Sequence, residues 1–600
     1  MDDDEAVAVT ANPGSGLLPR ALDALAALAP LAVEASADLR GALATLDVPT
    51  AGETVVRAGY GAAAVVGVGV VLAGSFVRLP PFVVVPVALA AAVAVAHGVH
   101  ELPVVLAALH RRRALGRAPD LVARLALRLH VEPALEPAVA FAVDASDDAL
   151  AAALAARCRR TDRLDDALLA FADAHADDAP GLRRACHLLA SAPDAPAGDR
   201  GRRVDRAFQA VLDGTRDRLR AYTTALSGPV NALYAFGVLL PLALVAVLPA
   251  AGAAGLPASL PVVVVVYDVL LPLVLLAATA WVLANRPVAF PPPRVDRDHP
   301  AVPARRWPAL AVGALAGTAV GGGAFALAST SGFGVPALAG VAALVPPWLA
   351  GVLGAGVGCG VAAGRLTAAA ASVRERALAV EDGLVDAAYA VGRRVANGDA
   401  VEDALAAGAD VGDETGAVFE TAIGVRERLG VGPREAFLGE HGALADVPSQ
   451  RARAVVDLLS LAAAQGAPAG QAVVAVADHL EDLADVERAC RDDLAAVTST
   501  LRSTGRLFGP LVGGATVALA DGLASPDAVL GDAPGTGVDP GALGVAVGAY
   551  VLALAGILAA LAVVLEAGPD RVAVGRELAT ALPTAASAFT VGVVATGALV

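Results

Sequence analysis

Long apolar runs alternate with long charged stretches, and the order of the pattern occurs twice. A pair of apolar runs, a charged stretch and a second pair occupy 59–285; the same order returns over 309–566, and one last apolar run covers 580–600. A membrane span needs about 20 apolar residues, because the hydrocarbon core is about 30 Å thick and a helix rises 1.5 Å per residue. Runs of that kind lie at 59–77, 80–99, 230–250, 260–284, 309–329, 336–363, 507–524, 541–566 and 580–600, which predicts about nine spans. The run 507–524 is short, and 80–99 holds Pro80, Pro81 and Pro86, which are tolerated where a helix begins.

The charged stretches carry helical periodicity. In the first, Leu121, Val122, Leu125 and Leu129 share a face, Asp147-Asp148 opens a helix over 149–157, and Leu164, Leu168 and Phe171 mark another. A long helix from about 202 to 226 is expected to run into the third span. In the second, Leu384, Ala388, Val391 and Val395 form a stripe that ends at the cap pair Asn397-Gly398. Asp399 with Glu402 three residues on reads as a capping box for the next helix, whose apolar face is Val401, Ala404 and Leu405. A later helix is expected over 451–465 and a last one over 469–506, entering the seventh span. The fold class is therefore all-α: a polytopic helical membrane protein with two repeated antiparallel helix-bundle lobes.

Arginine placement orients the chain. The stretch after the second span opens with Arg111, Arg112 and Arg113; the linker holds Arg286, Arg294, Arg297, Arg305 and Arg306; Arg571 and Arg576 precede the last span. The connections on the other side, 78–80, 250–259, 330–335 and 525–540, hold one arginine, Arg78. The positive-inside rule then places the N-terminus and both lobes in the cytoplasm and the C-terminus outside the plasma membrane. The expected organisation is an N-terminal amphipathic segment (1–58), a transmembrane pair (59–100), lobe 1 (101–226), a pair (227–285), a linker (286–308), a pair (309–363), lobe 2 (364–506), a pair (507–566), a loop (567–579) and a last span (580–600). The acidic start, Met1 to Glu5, is unlike a secretory signal, and residues 17–48 read as one short amphipathic helix packed on the first lobe.

Composition narrows the chemistry. The 600 residues are 56% hydrophobic and 4% aromatic, and mean hydropathy is +0.64. Net charge is −16 and all 44 basic residues are arginine, which argues against nucleic acid as a partner. The acidic, lysine-free, Ala/Val/Asp-rich habit is that of a GC-rich extreme halophile. Without lysine there is no phosphate-loop GxxxxGK[ST], and HExxH and GxSxG are absent as well. Cys158, Cys186, Cys359 and Cys490 lack metal-ligand spacing, so neither metal nor cofactor is expected and no catalytic residue is assigned. Gly321-Gly322-Gly323 reads as close helix packing. Asp268 and His97 are the candidate functional charges within the spans, and Asp268 is expected to pair across helices rather than relay protons.

The segment VANGDAVEDALAAG (395–408) and LYAFGVLLPL (233–242) resemble the type II secretion system F family, the platform proteins of pilus, archaellum and type II secretion machines. The resemblance covers about 59–566 as two modules, in the manner of archaeal members. The first module departs from the pattern at His130-Val131-Glu132-Pro133, where the turn glycine is missing. It implies a non-enzymatic platform beneath a filament of pilin-like subunits, a cytosolic hexameric secretion ATPase docked on the lobes, membrane lipid around the spans, and a homo-oligomer. Arg393, Arg394, Gly398, Asp399 and Glu402 are the expected ATPase contact; Arg111–Arg113 are expected at lipid headgroups. The alternative expectation is a transporter or channel built from a repeat, with Asp268 on its path.

Overall fold

The computed structural model describes residues 17–29, 33–46, 48, 50–76, 81–144, 149–241, 243–244, 260–284, 293, 295, 299–303, 305–329, 345–465, 467–524, 539–568 and 570–599. Among them every regular element is helical and no strand occurs. Among the described residues, seven helices are long and apolar enough to cross a membrane: Gly52–Leu72, Val84–Arg112, Leu260–Val282, Trp307–Ser329, part of Leu349–Ala396, Gly541–Ala567 and Arg571–Gly597. The protein is an all-α polytopic membrane protein. Two compact units organise it, Met1–Arg112 with Pro261–Val265, and Arg113–Leu260 with Val266–Val600.

The first unit holds α1 (Leu17–Ala27), α2 (Ala37–Thr45), α3 (Gly52–Phe76) and most of α4 (Pro81–Leu115). The single helix expected over 17–48 is two helices. Ser36 starts the second one afresh, its hydroxyl accepting the Leu39 N–H at 3.2 Å. Within this unit α1 packs on α3. Arg57 of α3 donates to the Ala26 and Ala29 carbonyls at 3.3 and 3.4 Å, satisfying acceptors that a helix end leaves open. Leu39, Leu43, Val55 and Val56 form a small core with Val99 and Val104 of α4. Pro81 stands at the start of α4, where its missing N–H costs nothing, whereas Pro86 and Pro103 lie inside the helix.

The second unit begins with the first lobe: α5 (Ala118–Val131), α6 (Leu135–Asp144), α7 (Ala149–Cys158), α8 (Leu164–Asp173), α9 (Pro180–Ala190) and α10 (Ala197–Tyr234). Asp147 and Asp148, expected to open α7, lie outside the described residues. Leu121, Leu125 and Leu129 of α5 are buried with Leu150, Leu154, Leu168, Phe171, Leu182 and Phe208. Gly181 and Gly214 let α9 and α10 touch backbone to backbone, since a Cβ on Gly181 would lie 2.6 Å from the Ala210 carbonyl. α10 continues into a π-helical turn, Ala235–Leu239, so lobe and apolar segment share one rod.

After α11 (Leu260–Val264), a π turn (Val265–Leu270) and α12 (Leu271–Ala284) comes α13 (Trp307–Ser329), then α14 (Leu349–Asp382), which leads into the second lobe. That lobe comprises the end of α14, α15 (Leu384–Ala396), α16 (Val401–Ala409), α17 (Asp413–Leu429), α18 (Pro433–Leu438), α19 (Gln450–Gln465) and α20 (Ala467–Ser503). Val391, Val395, Leu405, Phe419, Phe437, Val455 and Leu459 form its core. Phe419 and Phe437 meet edge to face at 5.1 Å, a preferred aromatic geometry. α20 passes through a π turn (Thr504–Phe508) into α21 (Gly509–Ala524), followed by α22 (Pro540–Ala567) and α23 (Arg571–Gly597).

Three span expectations change. The run 230–250 is described only in part, as the end of α10 and its π turn. The run 507–524 is α21, whose 16 residues rise about 24 Å and fall short of the hydrocarbon thickness unless the preceding π turn is counted. The connection expected over 567–579 shrinks to Gly568–Asp570. Gly568 adopts φ +83°, and the Asp570 carboxylate accepts the Val572 N–H at 2.8 Å, starting α23 nine residues ahead of the apolar run.

Small residues draw the membrane helices together. A Cβ on Gly317 would lie 2.6 Å from the Gly354 carbonyl and one on Gly354 2.8 Å from the Gly317 carbonyl, so α13 and α14 cross at backbone contact. Of the expected packing triplet only Gly321 faces α14; Gly322 and Gly323 have nothing within 4 Å, because consecutive residues point about 100° apart around a helix. α23 packs against α14, α21 and α22, meeting α14 at Gly356 and Gly360.

Candidate functional site

The helix-turn-helix of the second lobe holds the residues expected to meet a partner. Leu384, Ala387, Ala388, Val391 and Val395 bury one face of α15, which leaves Arg393 and Arg394 exposed in its last turn, where a cation complements the helix dipole. The Gly398 N–H donates to the Val395 carbonyl at 3.0 Å and the Asp399 N–H to the Arg394 carbonyl at 3.1 Å. This pairing is the Schellman motif, and it requires the left-handed residue that Gly398 supplies at φ +105°.

Asp399 does not cap α16. Ala400 is the N-cap, extended at φ −64° and ψ 145°, with no side-chain hydrogen bond. Asp399 instead pairs with Arg394 across the turn, Nε to Oδ2 3.4 Å, so its carboxylate is turned toward the preceding helix. Glu402 lies in the first turn of α16 beside Asp403, where negative charge suits the helix N-terminus without a capping box. The turn thus gathers Arg393, Arg394, Gly398 and Asp399 on one exposed knob, with the half-exposed Glu402 at its edge. Two like cations and two carboxylates in such a place suit a charged protein surface.

The corresponding turn of the first lobe is built without glycine. Glu132 ends α5 in an extended conformation, φ −133°, that any residue adopts, and its carboxylate meets Arg128 at 2.5 Å. Pro133 follows and α6 starts at Leu135. Here the cation is drawn back against the helix rather than offered outward; Arg128 is 13% exposed, against 49% for Arg394.

Two polar clusters went unread in the sequence. At the seam between the lobes, Arg451 of α19 stands 3.0 Å from Glu487 and 3.6 Å from Glu381, and Ser449 donates to Glu381 at 2.7 Å. Burial alone would lower the Arg451 guanidinium, but Glu487, Asp120 and Glu381 hold it above its ordinary value. Gln209 of the first lobe donates to Asp482 at 2.7 Å, Arg117 donates to Gln450 at 2.7 Å, and Val486 of α20 sits in the first lobe's core. The second cluster lies at the tip of the α22–α23 hairpin. Arg502 forks onto both oxygens of Glu566 at 2.7 and 2.5 Å and reaches Glu577 at 3.1 Å. Arg506 joins Glu577, and Arg374 pairs with Asp570. The one available signal was the position of Glu566 and Glu577 hard against apolar runs, where an acid needs a partner.

Asp268 lies in the π turn between α11 and α12. Its Oδ1 is buried and has no hydrogen-bond partner among the described residues, contrary to the expected pairing across helices. The π turn sets the buried face with Tyr267, which leaves the neighbouring carboxyl at the edge of the helix contact. Among the described residues no group of His, Cys, Asp and Glu could hold a metal ion.

Comparison of the chain with protein-family models, with curated proteins and with solved structures returns no match.

Proposed function

We propose that the protein is an integral membrane platform of an archaeal type IV pilus-like assembly or secretion machine, coupling a cytosolic hexameric secretion ATPase to the insertion of pilin-like subunits into a filament. One observation carries the reading: each of two similar helical lobes ends in a long helix that runs without interruption, through a π turn, into an apolar segment. Such rods can carry movement of a lobe into the membrane. The proposal places the lobes and the N-terminus in the cytoplasm and the C-terminus outside, a reading that the positive-inside rule supports through the arginine distribution. Arg393, Arg394, Gly398, Asp399 and Glu402 form the ATPase contact, the spans organise filament subunits among lipid, and the assembly is a homo-oligomer. The protein contributes no catalysis, cofactor or metal of its own.

Deleting the gene and restoring it on a plasmid tests this reading. Cells without the protein are expected to lose a surface filament and to retain its subunits in the membrane. A second reading, a transporter, draws on the unpartnered Asp268 carboxyl in a π turn, a helix irregularity often found at functional sites. Loss of solute uptake with all filaments intact would favour it.

A further inference from the structure

The two lobes are joined to the membrane helices by different physical means. The second stalk, α20, meets the bilayer half through charge. Arg502 lies in the last turn of α20 and Arg506 in the π turn that follows, so the pair brackets the point where the rod changes helical pitch. Both are held by carboxylates of one hairpin, Glu566 in the last turn of α22 and Glu577 in the second turn of α23. Thr498 adds a hydrogen bond to Glu566, and Thr580 accepts one from Arg506 at 3.0 Å. On the hairpin's other side, α14 supplies Arg374 to Asp570 and Glu375 to Arg576. Arg502, Glu566 and Glu577 are 27%, 25% and 15% exposed, so the bidentate pairs are shielded from screening ions. The helix α23 that completes this arrangement follows the second copy of the repeat and has no counterpart after the first.

The first stalk has no ionic counterpart at its π turn. Residues 221–267 contain no Arg, Asp, Glu or His, so no ion pair can form at its π turn, Ala235–Leu239. Among the described residues, three tyrosine hydroxyls tie this segment to its neighbours. Tyr222 of the stalk donates to the Val282 carbonyl at 3.3 Å, Tyr267 donates to the Pro241 carbonyl at 2.5 Å, and Tyr550 donates to the Gly237 carbonyl. Pro229 inside α10 removes one backbone bond just ahead of the turn. One hydroxyl on one carbonyl tolerates rotation of the rod; a guanidinium forked onto a carboxylate does not.

We infer that the second lobe's stalk is locked to the membrane bundle by an ionic clamp on the terminal helix hairpin, while the first lobe's stalk is hinged at its π turn, so the halves of the repeat are mechanically unequal. Movement imposed on the lobes then reaches the membrane as bending of the first stalk against a fixed second one. This inference stands apart from the platform reading, since it concerns the rods and not what acts on them.

Hydrogen exchange of the full-length protein in lipid nanodiscs tests it. Amides of 230–240 are expected to exchange at least about tenfold faster than those of 498–509. The paired neutral variant R502Q/E566Q is expected to raise exchange over 498–509 and leave 230–240 unchanged; Y550F is expected to do the reverse. Equal protection of the two turns in the parent protein would overturn the inference, as would an R502Q/E566Q variant that keeps 498–509 fully protected. Should that variant not fold, the parent comparison and Y550F decide.

Discussion

Tyr267 and Tyr550 meet edge to face, ring centroids 5.6 Å apart and planes at 86°, and each hydroxyl donates to a backbone carbonyl of the segment that continues α10. Tyr267 follows the first lobe in the chain and Tyr550 the second, yet both hydroxyls reach the segment that continues the first lobe's last helix. The Gly237 carbonyl that Tyr550 reaches lies inside the π turn, where the helical hydrogen-bond register shifts. Removing the Tyr550 hydroxyl leaves the ring contact in place and takes one hydrogen bond from that carbonyl. Tyr550→Phe is expected to lower stability by about 1 kcal/mol, the scale of polar contacts between membrane helices. Thermal unfolding in detergent checks this, with Tyr234→Phe, whose ring is exposed, as the unaffected comparison.

The crossing of α13 and α14 predicts a position-specific response to alanine. Gly317→Ala and Gly354→Ala each push a methyl into the facing backbone and are expected to cost about 1–3 kcal/mol. Gly322→Ala and Gly323→Ala have open space and should be neutral or stabilising by up to about 1 kcal/mol, alanine being the better helix former. Thermal melts of the four variants separate the two classes.

These glycines also show how far sequence reaches. The apolar runs were legible because a span needs an unbroken length, and the lobe helices because their buried faces recur every three to four residues, as at Leu121, Leu125 and Leu129. Which glycine of the triplet faces a neighbour depends on helix rotation, which tertiary packing sets. Arg502 and Arg506 could be read as markers of orientation, but not as partners of Glu566 and Glu577, which lie more than sixty residues away. The Asp399 cap failed for a local reason: Arg394, five residues back, competes for the same carboxylate. The π turns leave no signature in periodicity, since each alters the register by a single residue.

Arg451 is the charge on which the lobe seam depends. Arg451→Met would leave Glu381, only 9% exposed, beside Glu487 with no cation between them. The expected loss is about 3–5 kcal/mol, the usual result of breaking one side of a buried pair. Chemical denaturation of the full chain should show it, and Arg453→Met, outside this cluster, should stay within about 0.5 kcal/mol.

Stability of the lobes should carry a pH signature from Asp478. Burial, then Asp482 and Asp205, push its carboxyl up from the ordinary carboxylate value. The folded protein therefore holds this proton more tightly than the unfolded chain. Its contribution is fully present below the unfolded value and is lost as pH rises through the folded one. Asp478→Asn is expected to flatten that part of the stability–pH curve, and unfolding series from acid to neutral pH would reveal an unchanged slope if Asp478 were not responsible.

The exposed knob at the end of α15 should separate binding from folding. Arg393→Ala with Arg394→Ala removes only exposed cations and one surface pair, so stability should change by less than about 1 kcal/mol. Gly398→Ala forces a side chain into the left-handed region and should cost about 1–2 kcal/mol. Melting temperatures of the purified variants check both.

The platform reading is tested most directly by affinity purification of the tagged protein from its own membranes after mild crosslinking, read by mass spectrometry. The account predicts recovery of a secretion ATPase together with pilin-like subunits, with the ATPase lost in the Arg393→Ala, Arg394→Ala variant. Recovery of a solute-binding protein in place of both would contradict it and make Asp268 the residue to mutate next.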